Sequence, residues 1–378
     1  MVKKTIEGSI AIAEAVKNCE PDVVACYPIT PSTHIAETLA QYYANGEIKS
    51  YSATESEFSS ISIICGASAA GGRAFTTTSS QGLALMHEVV YAAAGMRLPL
   101  VMVVGNRALS APLNIWCDHQ DSIAERDSGW IQLYCENSQE GVDTTIQAFK
   151  IAENLMLPAM VCIDGFYLTH TVEPVDIPTI EEVRKFLPKY APMVKLDPEN
   201  PVSMGEYALP DTYQDFRQDV HNDNLAAKGK IVETDNEFKQ MFGRGYGGLL
   251  EGYKNEDADY IFLAMGTVVG NAKEAVDELR AKGKKAGAVK VRSFRPFPEE
   301  EVRKVLEGKK HIAVFEKSYS LGSFAPLYSE VVNSLYSLKK RPIVSSFIGG
   351  LGGKDVPVNR LVEIFKSIRK REALRVWV

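Results

Sequence analysis

Short apolar runs that alternate with stretches of helical spacing constrain this chain more than any other feature. Within residues 1–180 the runs are Val23 to Cys26, Ile48 to Ser52, Ala74 to Thr78, Leu100 to Val104, Gly129 to Tyr134 and Ala159 to Ile163. Helical spacing falls near Ser9 to Lys17, Thr33 to Tyr43, Glu57 to Ala70, Leu83 to Ala94 and Gln139 to Glu153. Runs that stay apolar at every position are strands covered on both faces. Alternation with helices therefore predicts an α/β unit with a doubly wound, mostly parallel sheet. In such a sheet ligands bind beyond the carboxyl ends of the strands, so the turns leaving them are where function is sought.

A chain of 378 residues exceeds what one core usually holds, which predicts two domains. Residues 1–180 form the first. From about Glu173 the pattern weakens through Pro174, Pro178, Pro188, Pro192, Pro198, Pro201 and Pro210, and residues 181–257 read as a connecting arm with local hairpins possible. Residues 258–378 form a second α/β unit. It opens with the strand Tyr260 to Gly266 and the helix Asn271 to Lys282, followed by strands at Ala286 to Val291, Ile312 to Phe315 and Ile343 to Ser346.

A net charge of −6 gives no support for nucleic-acid binding, and the clusters Lys282-Gly283-Lys284-Lys285 and Lys339-Lys340-Arg341 are short and isolated. Glu7, Glu14 and Lys17 interrupt any apolar run after the basic start, so no signal peptide is expected. No stretch is long and apolar enough for a membrane span, and a cytoplasmic location is expected. The six cysteines form no Cys-x-x-Cys pair, which leaves neither zinc nor iron–sulfur ligand spacing and implies reduced thiols.

Several segments at strand exits carry chemistry. In Tyr27-Pro28-Ile29-Thr30-Pro31-Ser32-Thr33, Thr30 has the position of an N-cap and Pro31 that of a first helical residue. The same turn offers hydroxyls and free N–H groups to an anion. Thr76-Thr77-Thr78-Ser79-Ser80-Gln81-Gly82 combines strand-forming threonines with an exit turn in which Gly82 permits close backbone approach. Glu57 fits a capping box with Thr54, and Glu55 could pair as a cap with Ser52. Arg107 leaves the apolar strand Leu100 to Val104 beside Gly105 and Asn106. Asp118-His119-Gln120-Asp121 reads as a hydrogen-bonded loop, too weak a pattern for a metal site. Gly349-Gly350-Leu351-Gly352-Gly353-Lys354-Asp355 reads as a tight turn, since its spacing matches no nucleotide-binding loop.

Tyr27 to Thr33, Ser56-Glu57, Gly66 to Gly71, Thr78 to Leu83, Gly105 to Pro112 and Asp118 to Asp121 together resemble, in order, the pyrimidine-binding domain of the 2-oxoacid:ferredoxin oxidoreductases. These are thiamine diphosphate enzymes, and the chain is most similar to the alpha type of subunit acting on pyruvate. The resemblance implies a thiamine diphosphate pyrimidine-type first domain and a transketolase C-terminal-like second domain. It makes Glu57 the carboxylate that pairs with the aminopyrimidine ring, so favouring the tautomer that deprotonates the thiazolium carbon. Arg107 becomes the grip on a substrate carboxylate, for which a planar guanidinium fork is suited, and Thr30 offers its hydroxyl to the keto acid. Pro28, Ile29, Ser80, Gln81 and Gly82 become cofactor contacts.

The family holds the diphosphate through Mg²⁺ with a Gly-Asp-Gly segment, which this chain lacks; Ile163-Asp164-Gly165 is the nearest approach. The resemblance therefore implies a beta subunit carrying the diphosphate–Mg²⁺ half, with iron–sulfur clusters and CoA-related domains on gamma- and delta-type subunits and ferredoxin as electron acceptor. The implied reaction converts pyruvate and CoA to acetyl-CoA and CO₂. Other 2-oxoacids, such as 2-oxoisovalerate or phenylglyoxylate, and a non-catalytic scaffold role are the alternatives.

Overall fold

The computed structural model describes residues 1–368 and 372–378. Its first sheet has seven strands, in the order Ser293–Arg295, Ile131–Tyr134, Ala159–Asp164, Val101–Asn106, Ala74–Thr78, Val23–Cys26 and Tyr51–Ala53. All pair in parallel except Ser293–Arg295, which runs antiparallel to Ile131–Tyr134. Every residue of Ala74–Thr78, Val101–Asn106 and Ala159–Asp164 is buried, which is why these runs are apolar or β-branched without alternation.

After Val23–Cys26 the chain moves outward to the edge strand Tyr51–Ala53, then returns to the other side with Ala74–Thr78. The winding direction reverses between these two central strands. The segments that leave them, Tyr27–Ser32 and the first turn of the helix Ser80–Gly95, which begins before the expected Leu83, flank the crevice where such sheets bind ligands.

The second sheet has the order Arg375–Trp377, Ile343–Ile348, His311–Glu316, Tyr260–Ala264, Ala286–Val291 and Leu250–Tyr253, parallel except for the last pair. Phe262, Phe315 and Phe347 pack on its outer face with the helices Val268–Ala281 and Val358–Ile368. The other face is continuous with the first unit: Ile261, Leu263, Val289 and Phe294 share one buried cluster with Met102, Trp130, Tyr134 and Met160.

Segment 181–257 differs from an arm with hairpins. It carries the helices Ile180–Phe186 and Tyr213–Phe242, the latter 30 residues long. Val220, Ala227, Ile231, Phe238 and Phe242 form its buried stripe, which joins the core beside the helix Ser138–Leu155. This helix is polar on average and presents only a narrow apolar face, so its period is easily masked by the prolines before it.

The strand Ser293–Arg295 carries the second unit's chain into the first sheet, and two buried cations secure the crossing. Lys290 Nζ lies 3.0 Å from Glu140 Oε2 and 2.6 Å from Glu251 Oε2. Arg292 donates to Thr144 Oγ1, Gln147 Oε1 and the Gly248 carbonyl, each at 2.9–3.0 Å. Burial opposes the charge on Lys290, but Glu140, Glu251 and Glu136 outweigh it and hold the ammonium above its ordinary pKa. Among the described residues no helix is long and apolar enough to cross a membrane.

Candidate active site

The Tyr27–Ser32 segment does not begin the helix as the sequence expects. Ser32, not Thr30, is the N-cap residue, and the helix runs Thr33–Ala44. Ser32 turns back on the preceding residues, its N–H and Oγ both donating to the Ile29 carbonyl at 2.9 Å. Thr30 is thereby left in the turn itself. Its hydroxyl makes no hydrogen bond among the described residues, while its carbonyl accepts from Arg107 Nη1 at 3.0 Å. Pro28 is exposed and Ile29 half-buried beside it. Across the crevice, Ser79 Oγ donates to Ser32 Oγ at 3.2 Å, which ties the two exit turns together.

Glu57 opens the helix Glu57–Ala69 and is only 6% exposed. The capping-box alternative fails: Ser56 is the N-cap, its hydroxyl accepting from Ser59 N, while Thr54 Oγ1 donates to the Ser56 carbonyl. No group among the described residues donates to the Glu57 carboxylate. Burying an ionisable group with no hydrogen-bond partner is costly, so an unpaired carboxylate at a sheet's functional edge marks a place for an incoming donor. Glu55 is exposed and accepts from the hydroxyl of Ser59 rather than capping with Ser52.

Gly82 faces Glu57. A Cβ there would lie 2.6 Å from Glu57 Oε1 and 2.5 Å from Thr78 Oγ1. Ser80 is buried with φ +48°; its N–H donates to Asp121 Oδ2 at 2.9 Å and its hydroxyl to Gln81 Oε1 at 2.6 Å. Gln81 is half-buried at the same turn.

Arg107 is 7% exposed and has no carboxylate within ion-pair distance among the described residues. Its Nε donates to the Asn114 carbonyl at 3.2 Å and its Nη1 to Thr30 O, so two of the five N–H groups of the guanidinium are used on neutral acceptors. Burial lowers its pKa, with Asp121 the opposing influence. A sheltered cation with donors to spare fits a ligand anion.

Asp121 organises this edge, a role that sequence reading missed although the residue lies in a quoted motif. Oδ2 accepts from the N–H groups of Ser80 and Arg107, and Oδ1 from Asn106 Nδ2 and Ser122 N, at 2.7–3.0 Å. One carboxylate thus fixes the exits of two neighbouring strands. Burial raises its pKa, countered by those donors.

The Asp118–Asp121 segment is hydrogen-bonded, as expected. His119 Nε2 lies 2.7 Å from Asp164 Oδ1, and Lys317 Nζ of the second unit donates to Asp164 Oδ2 at 2.6 Å. Cys117, His119 and Asp164 have the proximity of metal ligands. However, the Lys317 ammonium already occupies the cation position on Asp164. Burial works against the Asp164 charge, but Lys317 and His119 outweigh it and hold the carboxylate below the usual range. Burial pushes the Cys117 thiol well up, away from the thiolate a metal needs.

The cavities of about 280, 380, 390 and 620 Å³ elsewhere in the molecule have none of Thr30, Glu57 or Arg107 in their walls. These three stand on an open edge, flanked by exposed Tyr27, Leu113, Ile115 and Trp116.

A doubly wound sheet thus presents an unpaired carboxylate and a sheltered guanidinium at its switch point, the place where open α/β sheets bind ligands. The chain belongs to the pyruvate flavodoxin/ferredoxin oxidoreductase family: the thiamine diphosphate-binding domain of that family matches residues 14–236, and the pyruvate:ferredoxin oxidoreductase core domain II matches residues 258–361. It is 49% identical to pyruvate synthase subunit PorA of Methanocaldococcus jannaschii over 98% of this chain and 95% of the relative. It is also 44% identical to ketoisovalerate oxidoreductase subunit VorA of Pyrococcus abyssi, over 98% of this chain and 94% of the relative.

A solved 2-oxoglutarate:ferredoxin oxidoreductase from Magnetococcus marinus superposes with a TM-score of 0.72 at 20% identity, covering 97% of this chain. This chain spans 65% of the length of that one. The fold class expected from sequence holds, a thiamine diphosphate pyrimidine-type unit followed by a transketolase C-terminal-like unit.

Proposed function

We infer that the chain is the alpha-type subunit of a pyruvate:ferredoxin oxidoreductase, which converts pyruvate and CoA to acetyl-CoA and CO₂ while reducing ferredoxin, in either direction. The observation that carries this reading is the buried, unpaired Glu57 carboxylate opposite Gly82 at the sheet's switch point. An aminopyrimidine ring suits that place: it brings a ring nitrogen to an acceptor that lacks a donor, and Gly82 keeps the wall low. Thiamine diphosphate, when bound, would supply a nucleophilic carbon for chemistry at a keto group.

Each remaining task belongs to a residue of this chain. Glu57 would accept the hydrogen bond of the aminopyrimidine ring nitrogen. Pro28, Ile29, Ser80, Gln81 and Gly82 shape the wall for the pyrimidine. Arg107 binds the substrate carboxylate and Thr30 turns its free hydroxyl to the acid's oxygens. No Gly-Asp-Gly segment and no Cys-x-x-Cys pair occurs in the sequence, so Mg²⁺ and the diphosphate are assigned to a beta subunit. Iron–sulfur clusters and CoA-related domains are assigned to gamma- and delta-type subunits.

The exposed apolar side chains around the open edge support a partner that closes it. The working units are residues 1–180 and 258–378, with 181–257 linking them, and a cytoplasmic location accords with six unpaired, buried cysteines.

The likeness to a ketoisovalerate subunit favours 2-oxoisovalerate as a second reading, since one small apolar group changes specificity by only about 1–3 kcal/mol. Steady-state rates of the assembled enzyme with pyruvate, 2-oxoisovalerate and phenylglyoxylate decide between them; the highest kcat/KM is expected with pyruvate. Calorimetric titration of the lone chain with thiamine diphosphate and Mg²⁺ tests the split site. Micromolar binding together with CO₂ release from pyruvate by this chain alone would overturn it, and an assembled complex without activity on any 2-oxoacid would favour a scaffold.

A further inference from the structure

We propose that Asn114, seated on the glycine turn Gly349–Gly353 of the second unit, is a positioning residue that aims the Arg107 guanidinium. This rests on the reading of Arg107 as the carboxylate grip. The loop from Arg107 to Cys117 is closed by Ala108 N donating to the Trp116 carbonyl at 3.0 Å, yet its crest is open to solvent, with Leu113 74% and Trp116 49% exposed. Asn114 stands at its centre. Its backbone carbonyl accepts from Arg107 Nε, its Oδ1 accepts from Trp116 N at 2.7 Å, and its Nδ2 donates to the Gly352 carbonyl at 3.2 Å. One residue thus connects the guanidinium, the loop and the second unit.

The turn is shaped for this seat. Gly352 and Gly353 have φ of +57° and +79°, a conformation that side chains disfavour. A Cβ on Gly352 would lie 2.5 Å from Asn114 Nδ2, and one on Gly353 would lie 2.5 Å from Trp116 Cβ. Gly353 N donates to the Cys117 carbonyl at 2.7 Å, Gly352 N to Asp118 Oδ2 at 3.4 Å, and Tyr167 Oη to the Gly353 carbonyl at 3.3 Å. The glycine-rich motif is therefore no nucleotide loop. It is a platform on which the arginine's loop rests.

Orientation is what this platform supplies. Two acceptors, Thr30 O and Asn114 O, set the plane of the guanidinium, and a planar fork binds a carboxylate well only when that plane is right. Without the Asn114 side chain, Arg107 keeps its charge and its Thr30 contact, but the carbonyl that receives its Nε loses the Gly352 and Trp116 bonds that hold it in place. The consequence falls on substrate affinity rather than on the chemical step.

The test is a double-mutant cycle in the assembled enzyme. Asn114→Ala is expected to raise KM for pyruvate about ten-fold, within the range of couplings inside one hydrogen-bond network, with kcat and the KM for CoA held within about two-fold. In an Arg107→Ala background it should add nothing to KM. Gly352→Ala should reproduce the KM effect; should it fail to assemble, Asn114→Ala carries the test. If Arg107→Ala raises KM and Asn114→Ala does not, or if the two effects simply add, the positioning role is overturned while the carboxylate grip stands. If Arg107→Ala leaves KM unchanged, the grip itself is wrong and the proposal falls with it.

Discussion

Glu57 and Gly82 face each other so closely that a Cβ at position 82 would lie 2.6 Å from Glu57 Oε1. Two helix starts meet there, Glu57 opening the helix Glu57–Ala69 and Gly82 lying in the first turn of the helix Ser80–Gly95. Gly82→Ala must push the carboxylate aside, and the buried Thr78 hydroxyl at 2.5 Å blocks the other direction. A displacement near 1 Å costs roughly 10²-fold in rate. The expected outcome is a kcat reduced by about that factor in an assembled complex of normal size, with weaker thiamine diphosphate binding by calorimetry.

Glu57→Gln leaves the fold intact, because the carboxylate accepts no hydrogen bond among the described residues. An amide cannot take up the proton that the proposed role gives this carboxylate, and a positioned acid or base contributes about 10²–10⁴-fold. Turnover should fall by that order, with unchanged circular dichroism. Glu55→Gln, on an exposed side chain bonded to Ser59, should cost less than about two-fold. The reverse ranking would transfer the cofactor contact to Glu55.

Arg107→Ala removes the cation from a sheltered edge where it has no carboxylate of its own among the described residues. Truncating one partner of a desolvated charge pair costs about 2–5 kcal/mol, which is on the order of 30-fold or more in kcat/KM for pyruvate. Steady-state kinetics of the assembled variant check this. An unchanged value would assign the substrate carboxylate elsewhere.

Asp118 gives a pH signature. Burial raises its carboxyl from 3.8 to about 6, despite N–H donors from Gln120 and Gly352. The folded state keeps this proton to higher pH than the unfolded chain does. Its contribution to stability is therefore complete at low pH and declines as pH rises between about 4 and 6, by up to about 1.4 kcal/mol per unit. Asp118→Asn lacks that decline. The melting temperature of the variant complex minus that of the wild type should increase from pH 4 to pH 6 and then level off; a flat difference would refute the assignment.

The sequence determined the elements whose burial is written in their own apolar runs and spacing. Val23–Cys26, Ala74–Thr78 and Ala286–Val291 fall where their apolar runs predict, and the helices around Glu57 and Ser138 follow their periods, because each such element is specified by its own solvent exclusion. The sequence also displays directly that it contains no Gly-Asp-Gly segment and no Cys-x-x-Cys pair. Tyr213–Phe242 was hidden for the opposite reason, since its narrow stripe becomes apolar surface worth burying only against the helix Ser138–Leu155.

Only the tertiary structure decided which residues meet. Local pattern made Thr30 a helix cap; the Ser32 contacts with Ile29 moved the cap two residues on and freed the Thr30 hydroxyl. It offered Glu57 a capping box with Thr54, and the fold made Ser56 the N-cap and left the Glu57 carboxylate unfilled opposite Gly82. The strand Ser293–Arg295 joins a sheet whose other strands lie more than a hundred residues earlier, and Gly352 reaches Asn114 across 238 positions. Short-range periodicity reports how much of an element is buried. It carries no information on the partner that buries it, because that choice depends on packing and hydrogen bonding summed over the whole fold.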